Sequence, residues 1–151
     1  MTRNKCAAAV AVITVMTGCG AETSKLDAVH RLMTEEMEPA AEGIWDAAGY
    51  VITAAGEESL YPTTDEGWRA VAGKANELAA AAEKLKDPLY AIDNGEWVAI
   101  SESLVIASGV ARAAADSRNE QDLFDAGGQI YGVCLSCHQA YSPELIGEPL
   151  P

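Results

Sequence analysis

"EWVAISESLVIASGVARAAADSRNEQDLFDAGGQIYGVCLSCHQAY" runs from Glu96 to Tyr141, and its reading settles the fold class. Alanine alternates with larger apolar side chains at helical spacing, and alanine is the strongest helix former. The stretch predicts one helix over about Glu96–Ser117. Asn119 can cap a second helix, from Glu120 to about Ala140, because its side-chain oxygen can accept from the first free backbone amides. Ser142-Pro143 closes that helix, since the residue before proline disfavours helical backbone.

Upstream the same periodicity recurs. Leu26, Val29, Leu32, Met33, Met37, Ala40, Ala41, Ile44 and Ala48 predict a first helix over about Lys25–Ala54. Pro39 lies inside it and should kink it, having no N–H to donate and a ring that clashes with the carbonyl four residues back. "GEESLYPTT", residues 56–64, reads as a loop. Thr63 with Glu66 looks like a capping box for a helix over Asp65 to about Lys86. "DPLYAIDNG", residues 87–95, is a loop with a turn signal in Asn94-Gly95. No strand and no repeat is expected. Four long helices with short loops imply an all-α fold, an antiparallel up-down-up-down four-helix bundle. Trp45, Trp68 and Trp97 read as packing residues within it.

The totals agree with one domain that has a real core: 151 residues, 49% hydrophobic and 22% charged. The net charge of −13 argues against nucleic acid, whose phosphates would repel this surface. It suits a soluble protein or one that meets basic partners.

The first residues read as a leader. Arg3 and Lys5 precede an apolar run from Cys6 to Met16, the pattern of a secretory signal and too short for a comfortable membrane span. The run ends in "MTGC", Met16 to Cys19, which resembles the lipobox of bacterial lipoproteins. That resemblance implies cleavage before Cys19 and lipid on its thiol. The expected organisation is therefore a signal peptide over 1–18, a short anchor linker over 19–24 and one helical domain over 25–151. Loss of 1–18 removes two of the ten basic residues and none of the 23 acidic ones, giving −15. With Cys6 in the leader and Cys19 lipidated, the exported chain keeps only Cys134 and Cys137, and no distant pair remains for a disulfide framework.

Cys134-Leu135-Ser136-Cys137-His138 matches C-x-x-C-H, the attachment pattern for c-type haem. Residues three apart on a helix lie on one side. Two thiols there can add to the two vinyl groups of one haem, and His138 can reach the iron as proximal ligand. A thioredoxin-like pair is the rival, but it expects a βαβ context. Zinc would need four ligands, and beyond these three the chain offers only His30 and carboxylates.

A haem on the last helix of a four-helix bundle resembles the class II cytochromes c, the cytochrome c prime family. The resemblance covers about Leu26 to Tyr141. It is carried further by "LMTEEMEPAAEGIW" (32–45), "PTTDEGWRAVAGKANELA" (62–79) and "FDAGGQIYGVCLSCHQAY" (124–141). High-spin members leave the distal side of the iron empty and admit small gases such as nitric oxide or carbon monoxide. Low-spin members supply a methionine from the first helix and carry electrons. Met33, six residues before Pro39, stands where the similar subgroup has its methionine. Met37 and His30 are the other first-helix candidates. A thioether raises the haem potential relative to a second histidine, which suits a carrier.

The resemblance thus implies one haem c per chain, Cys134 and Cys137 as its thioethers, His138 and Met33 as iron ligands, and electron transfer without catalysis. The alternative is a five-coordinate gas-binding haem protein. A weak peroxidase is a third reading, with His30 the one candidate for its acid–base chemistry. Arg31 and Arg112 are candidate partners for the haem propionates. The implied partners are redox proteins and a membrane reached through the lipid anchor, on the periplasmic side and at the outer membrane. Class II relatives are often dimers through their first two helices, so a homodimer is also admitted.

Overall fold

The computed structural model describes residues 19–142. Its first long element is one interrupted helix over 19–45. It consists of α1 (Cys19–Leu32), a π-helical turn (Met33–Met37) and α2 (Glu38–Trp45). A hairpin follows, β1 (Tyr50–Thr53) and β2 (Gly56–Ser59), then α3 (Asp65–Lys84), α4 (Glu96–Ser117) and α5 (Glu120–Tyr141). The fold is all-α apart from the hairpin. The leader, residues 1–18, lies outside the described residues, as does 143–151. The stretch 19–24, expected as a linker, has helical backbone continuous with α1.

Where a kink was expected at Pro39, the turn just before it is π-helical. Proline offers no N–H to the carbonyl of Glu35 and crowds it. One extra residue per turn relieves that crowding, and the amide of Glu38 bonds to the carbonyl of Met33, five residues back.

Two expectations are corrected. The first helix was drawn to Ala54 and no strand was expected; it ends at Trp45, and Tyr50–Thr53 pairs antiparallel with Gly56–Ser59. Gly49 and Gly56 take φ of +100° and +134°, values a side chain resists, so one leads the chain into β1 and the other turns the hairpin. Between them Val51, Ile52 and Thr53 are β-branched, which favours extended backbone. The α3 cap is also displaced by one residue. Thr64, not Thr63, accepts from the amide of Gly67, at 3.1 Å. Asn119 caps α5 as expected, accepting from the amide of Asp122 at 3.1 Å.

The helices pack in sequence. α2 lies on α3, α3 on α4, α4 on α5, and α5 returns to α2. Alanines line the seams: Ala40, Ala75, Ala81, Ala82, Ala111 and Ala126 are fully buried, and Ile44, Leu78, Leu123 and Ile130 fill the space between them. Each of those four larger side chains contributes ~1.5–3 kcal/mol by leaving water. α4 is apolar enough over 18 residues to cross a membrane by length and composition, yet its buried stripe serves as the centre of this core. Its buried hydroxyls, Ser101 and Ser108, donate to Trp97 and Leu104 carbonyls at 2.7 Å. Among the described residues no buried side-chain polar atom lacks a partner.

Candidate functional site

The last two turns of α5 carry the motif. Cys134 and Cys137 are unpaired and half-buried, and both pack against the hydrophobic core. Other partly buried side chains packed on the core include Val29 and Met33 from the first helix, Tyr90 and Ala91 from the α3–α4 loop, and Tyr141. His138 follows Cys137 directly and is also half-buried.

Burial pushes both thiols up from their ordinary range. Cys137 reaches about 11, by burial first and then by the neighbouring Cys134. The pair also sits at the C-terminal end of α5, where the helix dipole disfavours a thiolate. A thioredoxin-like pair needs the reverse: a helix N-terminus and a lowered thiol pKa. The thiols here stay protonated at neutral pH. Among the described residues no group of three or more His, Cys, Asp or Glu side chains is placed to hold a metal ion. A haem asks less of the protein. Its porphyrin supplies four donors, so two neutral thiols and one imidazole on a single helix end make a suitable attachment set.

The two methionines of the first helix occupy different environments. Met37 closes the π turn and is buried in the core at 5% exposure. Met33 opens the turn and is half-buried, packed against the core from outside. The π turn separates them, and π bulges recur at functional sites because they re-aim side chains. The turn is tied to α3 by Lys84, whose ammonium meets Glu36 at 2.7 Å. His30 is exposed, and so is Arg31.

Arg112 does not belong to this end of the molecule. It pairs with Asp116 at 3.5 Å. Trp97, which meets Tyr141 edge to face, lies 15 residues earlier on α4, ~22 Å along the helix. Lys25, half-buried, donates from its ammonium to the Ala91 carbonyl of the α3–α4 loop at 3.1 Å. Trp68 and Trp97 are core residues, and Trp45 is half-buried between helices. Cys19 begins α1. The lipobox residues before it lie outside the described residues.

Sequence reasoning missed one cluster. The Tyr141 hydroxyl donates to Asp93 Oδ2. The other carboxylate oxygen of Asp93 accepts from the amides of Gly95, at 2.7 Å, and Trp97, at 3.2 Å. The Trp97 indole N–H donates to the Leu85 carbonyl at 2.7 Å, and the Trp97 and Tyr141 rings meet at 4.9 Å and 81°. These hydrogen bonds hold Asp93 below the usual carboxylate range, the Tyr141 hydroxyl contributing most. Tyr141 is pushed up to about 12, by burial first and then by Asp93. Asp93 ahead of Asn94-Gly95 is a local signal for a cap at α4. Nothing local pointed to Tyr141 as its partner.

Compared with protein-family models, with curated proteins and with solved structures, the chain matches none.

Proposed function

We propose that the chain is a monohaem c-type cytochrome of the cytochrome c prime-like kind, exported and carrying electrons on the periplasmic side of a bacterial membrane. The observation that carries the reading is the state of Cys134 and Cys137. They are two unpaired, neutral, half-buried thiols one turn apart on a core-facing side of a helix end, with an imidazole on the next residue. That set suits covalent attachment better than dithiol redox chemistry, for the dipole and burial reasons above.

In this reading Cys134 and Cys137 hold the haem by thioethers, His138 is the proximal ligand and Met33 the distal one. The bound haem supplies an iron that cycles between two oxidation states. The chain's own residues fix its orientation, keep water from it and set its potential through the distal donor. Met33 is preferred over Met37 because its side chain is only half-buried and keeps an open side, while Met37 is committed to the core. The circuit of neighbours α2–α3–α4–α5–α2 supports the antiparallel up-down-up-down bundle. The role is carriage, not catalysis, with redox proteins as partners and lipid on Cys19 as the membrane anchor.

Expression in a host with c-type maturation machinery tests the proposal. The matured chain should keep haem through acid–acetone extraction, and replacing both Cys134 and Cys137 by alanine should release it. Haem extracted from the unmutated chain, or never incorporated, would overturn the reading. A reduced spectrum that shifts on addition of carbon monoxide would turn the assignment from electron carrier to gas binder.

A further inference from the structure

We propose that Asp93 and Tyr141 are positioning residues for the haem-bearing turn of α5. The inference rests on the haem reading above and adds to it how the attachment turn is held in place.

The problem they solve is a general one. The motif occupies the last two turns of α5, which ends at Tyr141. Helix ends fray, because the last carbonyls have no partner within the helix. The amide of Ser142 reaches back to the His138 carbonyl at 2.8 Å. Yet Cys137 and His138 are the residues whose placement matters most for attachment and ligation.

The geometry supplies a lock. Cys134, Cys137 and Tyr141 are spaced three and four apart, so they share one face of α5. Tyr141 therefore stands one turn beyond Cys137 on the attachment side. Its hydroxyl is bound to Asp93 Oδ2, and its ring meets Trp97 edge to face. Asp93 is itself fixed by two amides at the start of α4, and Trp97 by the carbonyl that follows α3. One carboxylate thus joins the end of α5 to the start of α4 and, through Trp97, to the end of α3. The separation of 48 positions between Asp93 and Tyr141 makes this a tertiary lock, not a helix cap.

The link is a charge-assisted hydrogen bond, stronger than a neutral one. Tyr141→Phe keeps the ring contact and removes only that bond. Asp93→Ala removes the bond and the α4 cap. Asp93→Asn restores the cap through its carbonyl oxygen and the link through its amide, which can donate to the Tyr141 oxygen. A control destabilises α5 at its other end: Asn119→Ala removes the N-cap seen at Asp122 without touching the lock.

Two measurements decide it. In the haem-free chain, Tyr141→Phe should speed amide exchange over 138–142 on the order of tenfold, with α5 amides near Leu123 unchanged. In the matured full chain, alkylation followed by mass analysis should find a free thiol at Cys137 in Tyr141→Phe and Asp93→Ala, none in Asp93→Asn, and none in Asn119→Ala despite its lower stability. Equal labelling in Asn119→Ala and Tyr141→Phe would reduce the effect to general destabilisation and overturn the inference. Full attachment in every variant, with unchanged exchange, would overturn it while leaving the haem reading intact. Absence of covalent haem in the unmutated chain would overturn both.

Discussion

The indole N–H of Trp45 donates to the main-chain carbonyl of Gly127 at 3.0 Å, and a Cβ added at Gly127 would lie 3.2 Å from Trp45 Cδ1. The last residue of the first helix is thereby seated on the backbone of α5 two turns before Cys134. Residue 127 must be small for the indole to reach its carbonyl. Beyond this contact, toward Met33, the first helix has α3 as its principal neighbour.

Trp45→Phe removes this bond and keeps an aromatic ring in the gap. The expected cost is ~1 kcal/mol, the usual net value of a single neutral hydrogen bond. Gly127→Leu should cost more, since a branched side chain has to displace the indole. Denaturant unfolding of the two variants gives the comparison. A Leu variant as stable as the unmutated chain would show that the α2–α5 contact has slack.

Met33 and Met37 should separate in their effects. Met37→Ala removes a core side chain and should cost ~2–5 kcal/mol while leaving the spin state of the haem-loaded chain unchanged. Met33→Ala should cost little stability, convert a low-spin spectrum to a high-spin one and admit carbon monoxide. A spin change in the Met37 variant alone would reverse the assignment. A high-spin unmutated protein would mean that neither methionine ligates.

Stability should fall at both ends of the pH scale through the Asp93–Tyr141 pair. Tyr141 is raised to about 12 from an unfolded value of ~10, so the folded chain holds this proton more tightly. Its contribution is complete below pH ~10 and is lost as pH rises through the folded value. Asp93 is lowered, so its contribution is complete above the unfolded value of ~4 and is lost as pH falls through the folded one. Unfolding midpoints followed against pH should show a reduced alkaline slope in Tyr141→Phe and a reduced acid slope in Asp93→Asn. Tyr61, also raised by burial, should leave part of the alkaline slope in place. An unaltered pH profile in both variants would show that the pair does not couple folding to protons.

Cys19→Ser should move the exported protein from the membrane fraction to the soluble periplasm, since lipid on that thiol is the proposed anchor and multiple acyl chains give stable binding. Fractionation followed by mass analysis of the mature N-terminus reads this out. A native protein that is already soluble, or that begins elsewhere, would remove the lipobox reading.

Much of this architecture was legible in short stretches of sequence, because helix signals are local. α4 spans Glu96–Ser117 and α5 begins at Glu120 as the apolar spacing and the Asn119 cap required. The C-x-x-C-H pattern is likewise complete within five residues, and helical spacing alone puts both thiols on one side. What no local window contained was decided by contacts between distant segments. Alanine-rich helical spacing carried the first helix through to Ala54, but the β-branched run Val51–Thr53 found a strand partner at Gly56–Glu58 and left the helix at Trp45. Met33 and Met37, four residues apart, share one helix face by spacing, and only the resemblance set Met33 ahead. A π turn formed between them, and packing buried Met37 while leaving Met33 partly exposed. Asp93 was readable as a turn residue, but its bond to Tyr141 exists only because α4 and α5 pack side by side. Periodicity and caps act over one or two turns, whereas burial and cross-helix hydrogen bonds depend on which segments meet, and those meetings form only in the folded chain.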